Sequence, residues 1–343
     1  EIEDSQLVRR LIAKKCIYGV DLNPMAVNLA RLSIWIHTFV PGLPLSFLDR
    51  NLVVGNSLAG IGSLAEIQQE IDKLQEETPV LQMFPLDAEK ILGDSKKHLE
   101  KLAKISDASI EDLERGKKAW EKAEESIIPA KALCDIVAGN RLRGIPFPID
   151  LCDRWDELKD DLHKSVYLKK AIEGTKLENQ FHFPIAFPEV FLGDRDGFDV
   201  IVGNPPWKEA TLEEDKFWAR YYPGLGGMQQ GEQESKKSEF RDKHPDLFVS
   251  YKQKKEELEL VRLILTKGPY PGMGTGDPDL YKAFCWRFWN LIDAEKGFFG
   301  VVLPRSVLTS KGSKEFRITV FSESDQIGIT TLTNKKRWVF DIG

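Results

Sequence analysis

The residue types in this chain that are best suited to chemistry stand together in one tetrad, Asn204, Pro205, Pro206 and Trp207. Proline has no backbone N–H, so the tetrad cannot continue as a central strand, and its carbonyls are left to face a pocket. The side-chain oxygen of Asn204 and the backbone carbonyl of Pro205 can accept both hydrogens of one NH2 group. Trp207 can stack on the planar ring that bears this amine. The tetrad is therefore suited to holding an exocyclic amine, such as that of a nucleobase that has left its duplex.

We favour this interpretation of the tetrad over that of a plain loop. Asn-Pro and Pro-Pro pairs are common turn signals, and most bare NPP sequences are ordinary turns. Here, however, the tetrad directly follows an apolar, strand-like run at residues 198–202. A second signature also lies upstream of it, at residues 16–38.

The upstream signature begins with a short apolar run at residues 16–20, which is typical of a buried parallel strand, and Asp21 stands at its carboxyl end. Asn23 and Pro24 then predict the start of an amphipathic helix. Its apolar face carries Ala26, Val27, Ala30 and Ile34. In doubly wound folds, an acidic residue after the second strand commonly binds the ribose hydroxyls of a nucleotide-like cofactor. We therefore predict that Asp21 binds a cofactor; the alternative is that it caps the helix.

A third and weaker signature follows at residues 50–58. The run from Leu52 to Val54 predicts a strand that ends at Gly55 and Asn56. At this position the Asn56 amide, or backbone near it, can read the edge of an adenine ring. The signature becomes informative through its place between the other two.

Taken in order, these segments resemble a known family. The order GVDLNP, GNSL, FDVIVGNPPW and DLYKAF, with a later strand that ends in VVLP, is similar to that of the adenine-N6 DNA methyltransferases of the gamma arrangement. The resemblance is closest to the large methylases of restriction-modification and phage-defence systems, including the fused Type IIG enzymes. It implies an α/β fold, with a Rossmann-like class I S-adenosylmethionine-dependent methyltransferase sheet and helical insertions. It also implies S-adenosyl-L-methionine as the cofactor and, as the partner, double-stranded DNA with a flipped adenine.

The resemblance implies roles for individual residues at the cofactor. Asp21 would bind the cofactor ribose and Asn56 the cofactor adenine, and we place their neighbours Leu22 and Ser57 in the same cofactor-binding set. Phe284, in the DLYKAF segment, would pack against the cofactor adenine. The alternative for Phe284 is a core position, because its helix carries several other aromatic side chains: Tyr281, Trp286, Phe288 and Trp289.

For the tetrad, the resemblance implies that Asn204 and Pro205 bind the target amine, that Pro206 completes the catalytic turn, and that Trp207 stacks on the flipped adenine. On this mechanism neither a metal nor a covalent nucleophile is needed. Two rival functions stay open. One is methylation of an RNA base or of a protein glutamine amide, and the other is a non-catalytic, truncated module that binds a partner.

The resemblance also divides the chain. The segments are 1–58 with the second and third strands, 59–180 as a helical insertion, 181–207 with the fourth strand and the tetrad, 208–276 as a second, partly mobile insertion, and 277–343 with the fifth strand, at residues 298–303. We expect residues 327–340 to enter the sixth and seventh strands, and the family's glycine-rich element to precede residue 1. No target-recognition domain is recognised. We therefore expect a piece of a longer protein, in which a specificity or nuclease domain is possible.

Apolar residues at helical spacing predict amphipathic helices in the first insertion. They are Leu64, Ile67, Ile71 and Leu74, then Leu99, Leu102 and Ile105, with further helices over 119–137 and 155–172. We favour a solvated helical hairpin; the alternative is a surface for a partner or for the DNA backbone. In the second insertion, the hydrophilic run 229–244 is expected to be mobile. This insertion begins beside the tetrad, so it could fold over the flipped base.

Composition is typical of a globular protein. The 343 residues, 42% of them hydrophobic, supply core for one large domain with insertions. The formal charge of −6 argues against a wholly nucleic-acid-binding surface but allows a local basic cleft.

The cysteines lack CxxC spacing, so we expect reduced, buried thiols at Cys16, Cys134, Cys152 and Cys285. No segment predicts a membrane span or a signal peptide, and we expect a cytoplasmic protein without a metal site.

Overall fold

The computed structural model describes residues 4–40, 48–77, 110–148, 151, 154–191, 196–207, 214–222, 224–273 and 278–332. Its strands are β1 (Gly19–Asp21), β2 (Leu52–Val54), β3 (Val200–Gly203) and β4 (Phe298–Val301). Its helices are α1 (Asp4–Cys16), α2 (Pro24–His37), α3 (Leu64–Glu77), α4 (Ile110–Arg143), α5 (Trp155–Leu158), α6 (Val166–Gly174), α7 (Phe183–Ala186), α8 (Pro188–Phe191), α9 (Glu214–Ala219), α10 (Gln230–Lys243), α11 (Pro245–Lys267), α12 (Leu280–Leu291) and α13 (Lys314–Glu323). Short 3-10 helices lie at Lys159–Lys164, Lys176–Glu178, Leu225–Gly227, Arg305–Leu308 and Lys311–Ser313.

The strands form two parallel pairs. Asp21 of β1 lies opposite Val54 of β2, and Gly203 of β3 lies opposite Val301 of β4. Parallel strands connected through helices are compatible with the predicted α/β class. Within the described residues the pairs are separate two-stranded sheets, so a single Rossmann-like sheet is not formed by this part of the chain.

One apolar cluster receives side chains from both strand pairs. Val20 and Val53 pack against it from β1 and β2, and Ile201 packs against it from β3. Its buried centre consists of Phe181, Phe183, Phe187, Phe191 and Leu291. Rings in this cluster meet edge to face, an arrangement that stabilises aromatic pairs beyond their buried area. A common core therefore holds together the two pairs, which in the described part of the chain do not hydrogen-bond to each other as one sheet.

Helix α2 begins where the sequence predicts. The Asn23 side chain caps it by accepting a hydrogen bond from Met25 N at 2.9 Å. Pro24 occupies the first turn, where its missing N–H is not needed. The apolar face packs in a cluster with β2, formed by Val27, Ala30, Ile34 and Leu52.

The first insertion contributes to the core. Helix α3 buries Ile67 and Ile71, as their spacing predicts. The second half of α4 is buried too, at Ala130, Leu133, Ile136, Val137 and Ala138. The expectation of a solvated hairpin is therefore wrong for this half of α4, because the charged sequence of residues 111–125 gives way to the mostly apolar run at 127–138. The predicted repeat at Leu99, Leu102 and Ile105 lies outside the described residues.

The second insertion forms a small unit around aromatic side chains. Its buried cluster consists of Phe217, Trp218, Leu225 and Tyr251. The run 229–244, whose composition predicted mobility, contains the regular helix α10. Ion pairs at helical spacing join Lys236 and Lys243 to Glu239, and Phe240 packs against the aromatic cluster. These contacts explain the helix despite the low apolar content of the run.

Other expectations also differ from the structure. The described residues 327–332 contain no strand, and Ile327 and Ile329 are exposed, because no neighbouring strand satisfies their backbone groups there. Strand β1 starts at Gly19, because α1 continues to Cys16 and leaves that thiol exposed. The free thiols of Cys134 and Cys285 are buried as expected, and Cys152 lies outside the described residues. In the described ranges, no helix combines the length and the apolar character that a membrane crossing requires.

Gly60 is packed against the backbone of Phe181. A Cβ atom at this glycine would lie 1.9 Å from the Phe181 carbonyl oxygen. The backbone N–H of Phe183 donates a hydrogen bond to the Ile61 carbonyl at 2.9 Å, which holds the two segments at this spacing. The position therefore requires glycine.

We predict that Gly60→Ala lowers the free energy of unfolding by about 3 kcal/mol, because its methyl group must displace backbone rather than a flexible side chain. Urea denaturation followed by tryptophan fluorescence measures the change. Gly300→Ala is the matched control, since a Cβ atom there meets nothing within 4 Å. Equal stabilities of the two variants would contradict the steric argument.

Candidate functional site

The tetrad follows β3 as a segment without regular secondary structure, which we call the turn; Gly203 before it and Trp207 at its end both bond to Val302, the residue after β4. Val302 N donates to the Gly203 carbonyl at 3.1 Å, and Trp207 Nε1 donates to the Val302 carbonyl at 3.2 Å. Between these anchors Pro205 is buried, while Asn204 and Pro206 on either side of it are exposed. The turn is therefore fixed at its base and leaves Asn204 accessible.

Gly203 stands where β3 gives way to this turn, and it lies against helix α12. A Cβ atom at Gly203 would lie 3.0 Å from the ring of Phe288, which is tighter than ordinary van der Waals contact. The absence of a side chain at Gly203 thus lets α12 approach the base of the turn closely.

One apolar cluster connects the turn with the residues that follow β2. Trp207 and Phe284 pack against this cluster while partly buried themselves. Its buried members include Leu58 and Ala59, which follow Ser57. Phe284 therefore lies at the edge of a core cluster, which agrees with the structural alternative for this residue, and its contact with a cofactor stays a prediction.

Asp21 lies at the carboxyl end of β1 and is exposed, as is Leu22 beside it. The Asp21 backbone carbonyl accepts a hydrogen bond from Gly55 N at 3.0 Å, so it lies next to the segment that ends β2. Its Oδ1 accepts from Asn23 N at 2.7 Å, so the carboxylate also supports the turn before α2. A carboxylate offers about four acceptor sites, and this one bond leaves capacity for hydroxyl groups.

Asn56 shapes the turn that follows β2. Its Oδ1 accepts a hydrogen bond from Leu58 N at 3.1 Å, and its backbone N–H donates to the Asn179 carbonyl at 2.8 Å. The side-chain amide is therefore held in one orientation. Asn56 and Ser57 are both half-buried beside the exposed end of β1.

Residues 56–62, which we call the 56–62 segment, are held by partners from distant parts of the chain. Tyr270 Oη donates to the Leu58 carbonyl at 2.7 Å. Arg141 Nη2 donates to the Gly60 carbonyl at 2.9 Å. Because the segment has left the β2 pairing, these bonds satisfy backbone groups that would otherwise be buried without partners.

A buried histidine binds the middle of the same segment. His182 Nδ1 accepts a hydrogen bond from Ile61 N at 3.2 Å. The proton of the neutral ring then sits on Nε2, which lies 3.0 Å from Asp135 Oδ1 and donates to it. Gln180 Nε2 donates to the same Asp135 oxygen at 2.8 Å. Asp135 belongs to α4, so this chain of bonds ties the first insertion to the segment.

A buried ion cluster, formed by Glu66, Arg141 and Arg287, completes this arrangement. Each arginine donates to one oxygen of the Glu66 carboxylate, and all three side chains are at most 3% exposed. Glu66 Oε2 also accepts from Gly62 N at 2.7 Å. Arg287 Nη2 donates to the Gly60 carbonyl at 3.0 Å. The cluster is thus hydrogen-bonded to the segment at both of its glycines, Gly60 and Gly62.

Burial by itself would raise the pKa of Glu66, because burial penalises the charged form. The guanidinium groups of Arg287 and Arg141, together with the bonds from Arg141 and Gly62, outweigh burial and hold the pKa of Glu66 below its ordinary value. The carboxylate is therefore ionised at neutral pH.

The structure brings the predicted site residues into two groups that helix α12 links. Asp21 and Asn56 lie side by side at the ends of β1 and β2, and Asn204 begins the turn after β3. Helix α12 contacts the 56–62 segment through Arg287 and the base of the turn through Phe288. In the described ranges, His, Cys, Asp and Glu side chains do not gather into a group of three or more that could hold a metal ion.

Sequence reasoning missed the ion cluster. Arg287 carried a usable signal, because it is the one charged residue in the run AFCWRFW, and a charge on an aromatic helix implies a buried partner. Glu66 and Arg141 stand among many other charged residues, and nothing in the sequence distinguishes them.

Comparison with known proteins gives one further finding. The family model of the Eco57I restriction-modification methylase matches residues 15–140 and 150–259, which together make up more than half of the chain. No curated protein and no solved structure matches this chain. The matched ranges include Asp21, the 56–62 segment, and the turn at 204–207.

We predict that the stability of the protein falls on the acid side through Glu66. Because its pKa is lowered by folding, its contribution is complete above the unfolded value, near 4.5, and is lost as pH falls through the folded value. Urea denaturation of wild type and Glu66→Gln at a series of pH values measures this. The difference in unfolding free energy between the two proteins should narrow as pH falls. Glu76→Gln, at an exposed position of α3, is the control, and a gap independent of pH would contradict an ionised Glu66.

Proposed function

Because the chain belongs to the Eco57I restriction-modification methylase family, we propose that it transfers a methyl group from S-adenosyl-L-methionine to the N6 amine of an adenine flipped out of double-stranded DNA. Family membership supports DNA methylation as the class of reaction. The observation that carries the finer proposal is the turn at 204–207. It leaves Asn204 exposed at the end of β3, on a base that Trp207 fixes to Val302.

The turn supplies what an adenine amine requires. The Asn204 side-chain oxygen and the Pro205 carbonyl accept its two hydrogens, which favours a tetrahedral and more nucleophilic nitrogen. Trp207, which is half-buried, is the proposed stacking surface for the base. Stacking contributes roughly 1–3 kcal/mol per base, which offsets much of the few kcal/mol that flipping costs. Pro206 restricts the backbone that holds these groups.

The ends of β1 and β2 fit S-adenosyl-L-methionine. The exposed Asp21 carboxylate can accept bonds from two ribose hydroxyls, in the position where doubly wound folds commonly place such an acid. The fixed amide of Asn56, with Ser57 beside it, is the proposed contact for the adenine ring, and Leu22 and Phe284 offer apolar surface. When bound, the cofactor supplies a methyl group on a positively charged sulfur. The chain's own contribution is to orient the amine in line with that methyl group, an effect that can lower a barrier by several kcal/mol.

We also propose that both strand pairs belong to one Rossmann-like sheet in the whole protein. The shared aromatic cluster supports this, because side chains of both pairs already pack in one layer. In such a sheet, the carboxyl ends of all strands face one side, where open α/β sheets bind their ligands. Asp21, Asn56 and Asn204 would then lie along one cleft.

We predict that Asn204→Ala lowers the rate of methyl transfer by about a hundredfold to a thousandfold, comparable to the loss of one transition-state hydrogen bond in other enzymes. The assay uses the full-length protein, methyl-labelled S-adenosyl-L-methionine and mixed-sequence DNA, followed by digestion to nucleosides and chromatography. Label in N6-methyladenine that is lost in Asn204→Ala supports the proposal. Asn28→Ala, at an exposed position of α2, is the matched control and should retain wild-type activity.

The same assay separates the rival functions. Label in an RNA nucleoside or in protein would replace the substrate while keeping methyl transfer. The absence of label from every acceptor would favour a non-catalytic module. Wild-type turnover by Asn204→Ala would contradict the role of the turn, whatever the acceptor.

We predict that Asp21→Asn weakens binding of S-adenosyl-L-methionine about tenfold or more, because it removes a charged acceptor from the ribose. The substitution keeps the Oδ1 atom that accepts from Asn23 N, so it separates ribose binding from support of the turn. Isothermal titration calorimetry measures the affinity. Asp293→Asn is the matched control, since Asp293 Oδ1 likewise accepts from backbone N–H groups, those of Glu295 and Lys296. If Asp21→Asn binds S-adenosyl-L-methionine with wild-type affinity but has lower thermal stability, ribose binding by Asp21 is contradicted, and only its support of the turn before α2 is retained.

A further inference from the structure

Arg287 is the most fully buried cation of the described residues, at 0% exposure, and every partner of its guanidinium leads to the 56–62 segment. Nη1 donates to Glu66, which in turn binds Gly62 N. Nη2 donates to the Gly60 carbonyl at 3.0 Å and to Tyr270 Oη at 2.8 Å. Tyr270 Oη donates its own hydrogen bond to the Leu58 carbonyl at 2.7 Å. One side chain thus fixes the segment directly and through two further residues.

The next residue of the same helix contacts the other half of the site. Phe288 lies against Gly203, where a Cβ atom would come within 3.0 Å of its ring. Asn204 follows Gly203 directly. One turn earlier on α12, Phe284 packs in the cluster that also contains Trp207, Leu58 and Ala59. Helix α12 therefore touches both the segment after Asn56 and the turn that begins at Asn204.

The guanidinium geometry suits this task better than another cation would. Its two terminal nitrogens reach the Glu66 carboxylate and the Gly60 carbonyl at the same time, in one rigid plane. A lysine has a single nitrogen on a flexible side chain. It can keep the ion pair with Glu66, but it lacks the second terminal nitrogen that binds the Gly60 carbonyl. Replacement by lysine therefore removes the orientation of α12 relative to the segment while retaining the ion pair.

We propose that Arg287 is a positioning residue. By locking α12 to the 56–62 segment, it sets the distance between the proposed cofactor-binding residues around Asn56 and the proposed target-binding turn at Asn204. The proposal rests on the proposed function of both groups. Arg287 is fully buried, and it acts through Gly60 and Glu66 on one side and through the Phe288 contact on the other.

The test compares wild type with Arg287→Lys and Tyr270→Phe in the full-length protein, at a temperature where thermal denaturation shows every variant to be folded. We expect Arg287→Lys to lower kcat for methyl transfer tenfold or more, with less than threefold change in the KM for S-adenosyl-L-methionine and for DNA. Tyr270→Phe, which removes only the hydroxyl between Leu58 and the arginine, should lower kcat in the same direction by a smaller factor. A merely structural role would lower the melting temperature and leave kcat of the folded protein unchanged.

Hydrogen–deuterium exchange gives a readout that does not require activity. Peptides that cover residues 56–62 should exchange faster in Arg287→Lys than in wild type, while peptides from the aromatic unit around Trp218 should not change. Arg317→Lys is the matched control, because Arg317 also donates to two backbone carbonyls, those of Val307 and Ser310, which belong neither to the 56–62 segment nor to the turn at 204–207. It should leave kcat and exchange at 56–62 at wild-type values.

Wild-type kcat together with wild-type exchange at 56–62 in Arg287→Lys would overturn the proposal. Equal losses of kcat in Arg287→Lys and Arg317→Lys would also overturn it, since the effect would then be general. If the wild-type protein transfers no methyl group to any acceptor, the proposed function fails. Exchange at 56–62 still decides in that case whether Arg287 locks the segment.

Discussion

The arrangement of this protein depends on one buried carboxylate, that of Glu66, held between Arg141 and Arg287. A charge of this kind costs several kcal/mol to bury unless it is paired and fully hydrogen-bonded, so Glu66 is stable inside only when both arginines are in place. The three residues come from α3, α4 and α12, which lie far apart in the sequence. Apolar packing tolerates small shifts of one helix against another, whereas a shared carboxylate with fixed acceptors tolerates few. The ion cluster therefore ties these three helices to one another, and apolar clusters pack beside it.

The same constraint explains why helix α4 of the first insertion is bonded to the segment that follows β2. The 56–62 segment leaves the β2 pairing with a run of backbone groups that strands no longer satisfy, and those groups need partners. Helix α4 supplies Arg141 and, through Asp135, the orientation of His182, so the insertion does part of what a neighbouring strand would do. Close approach also explains the glycine at position 60, because a side chain there would collide with the backbone of Phe181. The average composition of a helix predicts whether it is solvated. The hydrogen bonds to the 56–62 segment depend on only two residues of α4, Asp135 and Arg141, so composition does not predict them.

Local features were predictable from the sequence, and long-range partners were not. The start of α2 at Asn23 and Pro24 and the bounds of β2 follow from the chemistry of a few adjacent residues, and the structure confirms them. The expected strand beyond Ile327 is not seen at residues 327–332, because an apolar alternation gives a strand only when another strand pairs with it. Helix α10 shows the opposite case, since ion pairs at helical spacing and the packing of Phe240 support a helix in a run whose composition predicted mobility. The ion cluster required a choice among many Glu and Arg residues, and only the fold makes that choice.

The turn after β3 combines a rigid base with an accessible tip, and this combination is what recognition of an extruded base would need. Gly203 before the turn and Trp207 at its end both bond to Val302, Pro205 is buried, and Phe288 packs on Gly203, so the base of the turn is held from several sides. A group that is already oriented loses little conformational entropy when a ligand binds, so more of its hydrogen-bond energy contributes to binding and to stabilising the transition state. Flipping a base carries its own cost, so a mobile turn would add a second ordering cost to the same step. The proline pair and the tryptophan bond therefore belong to one arrangement, in which the strands and α12 hold the base of the turn and Asn204 is left accessible.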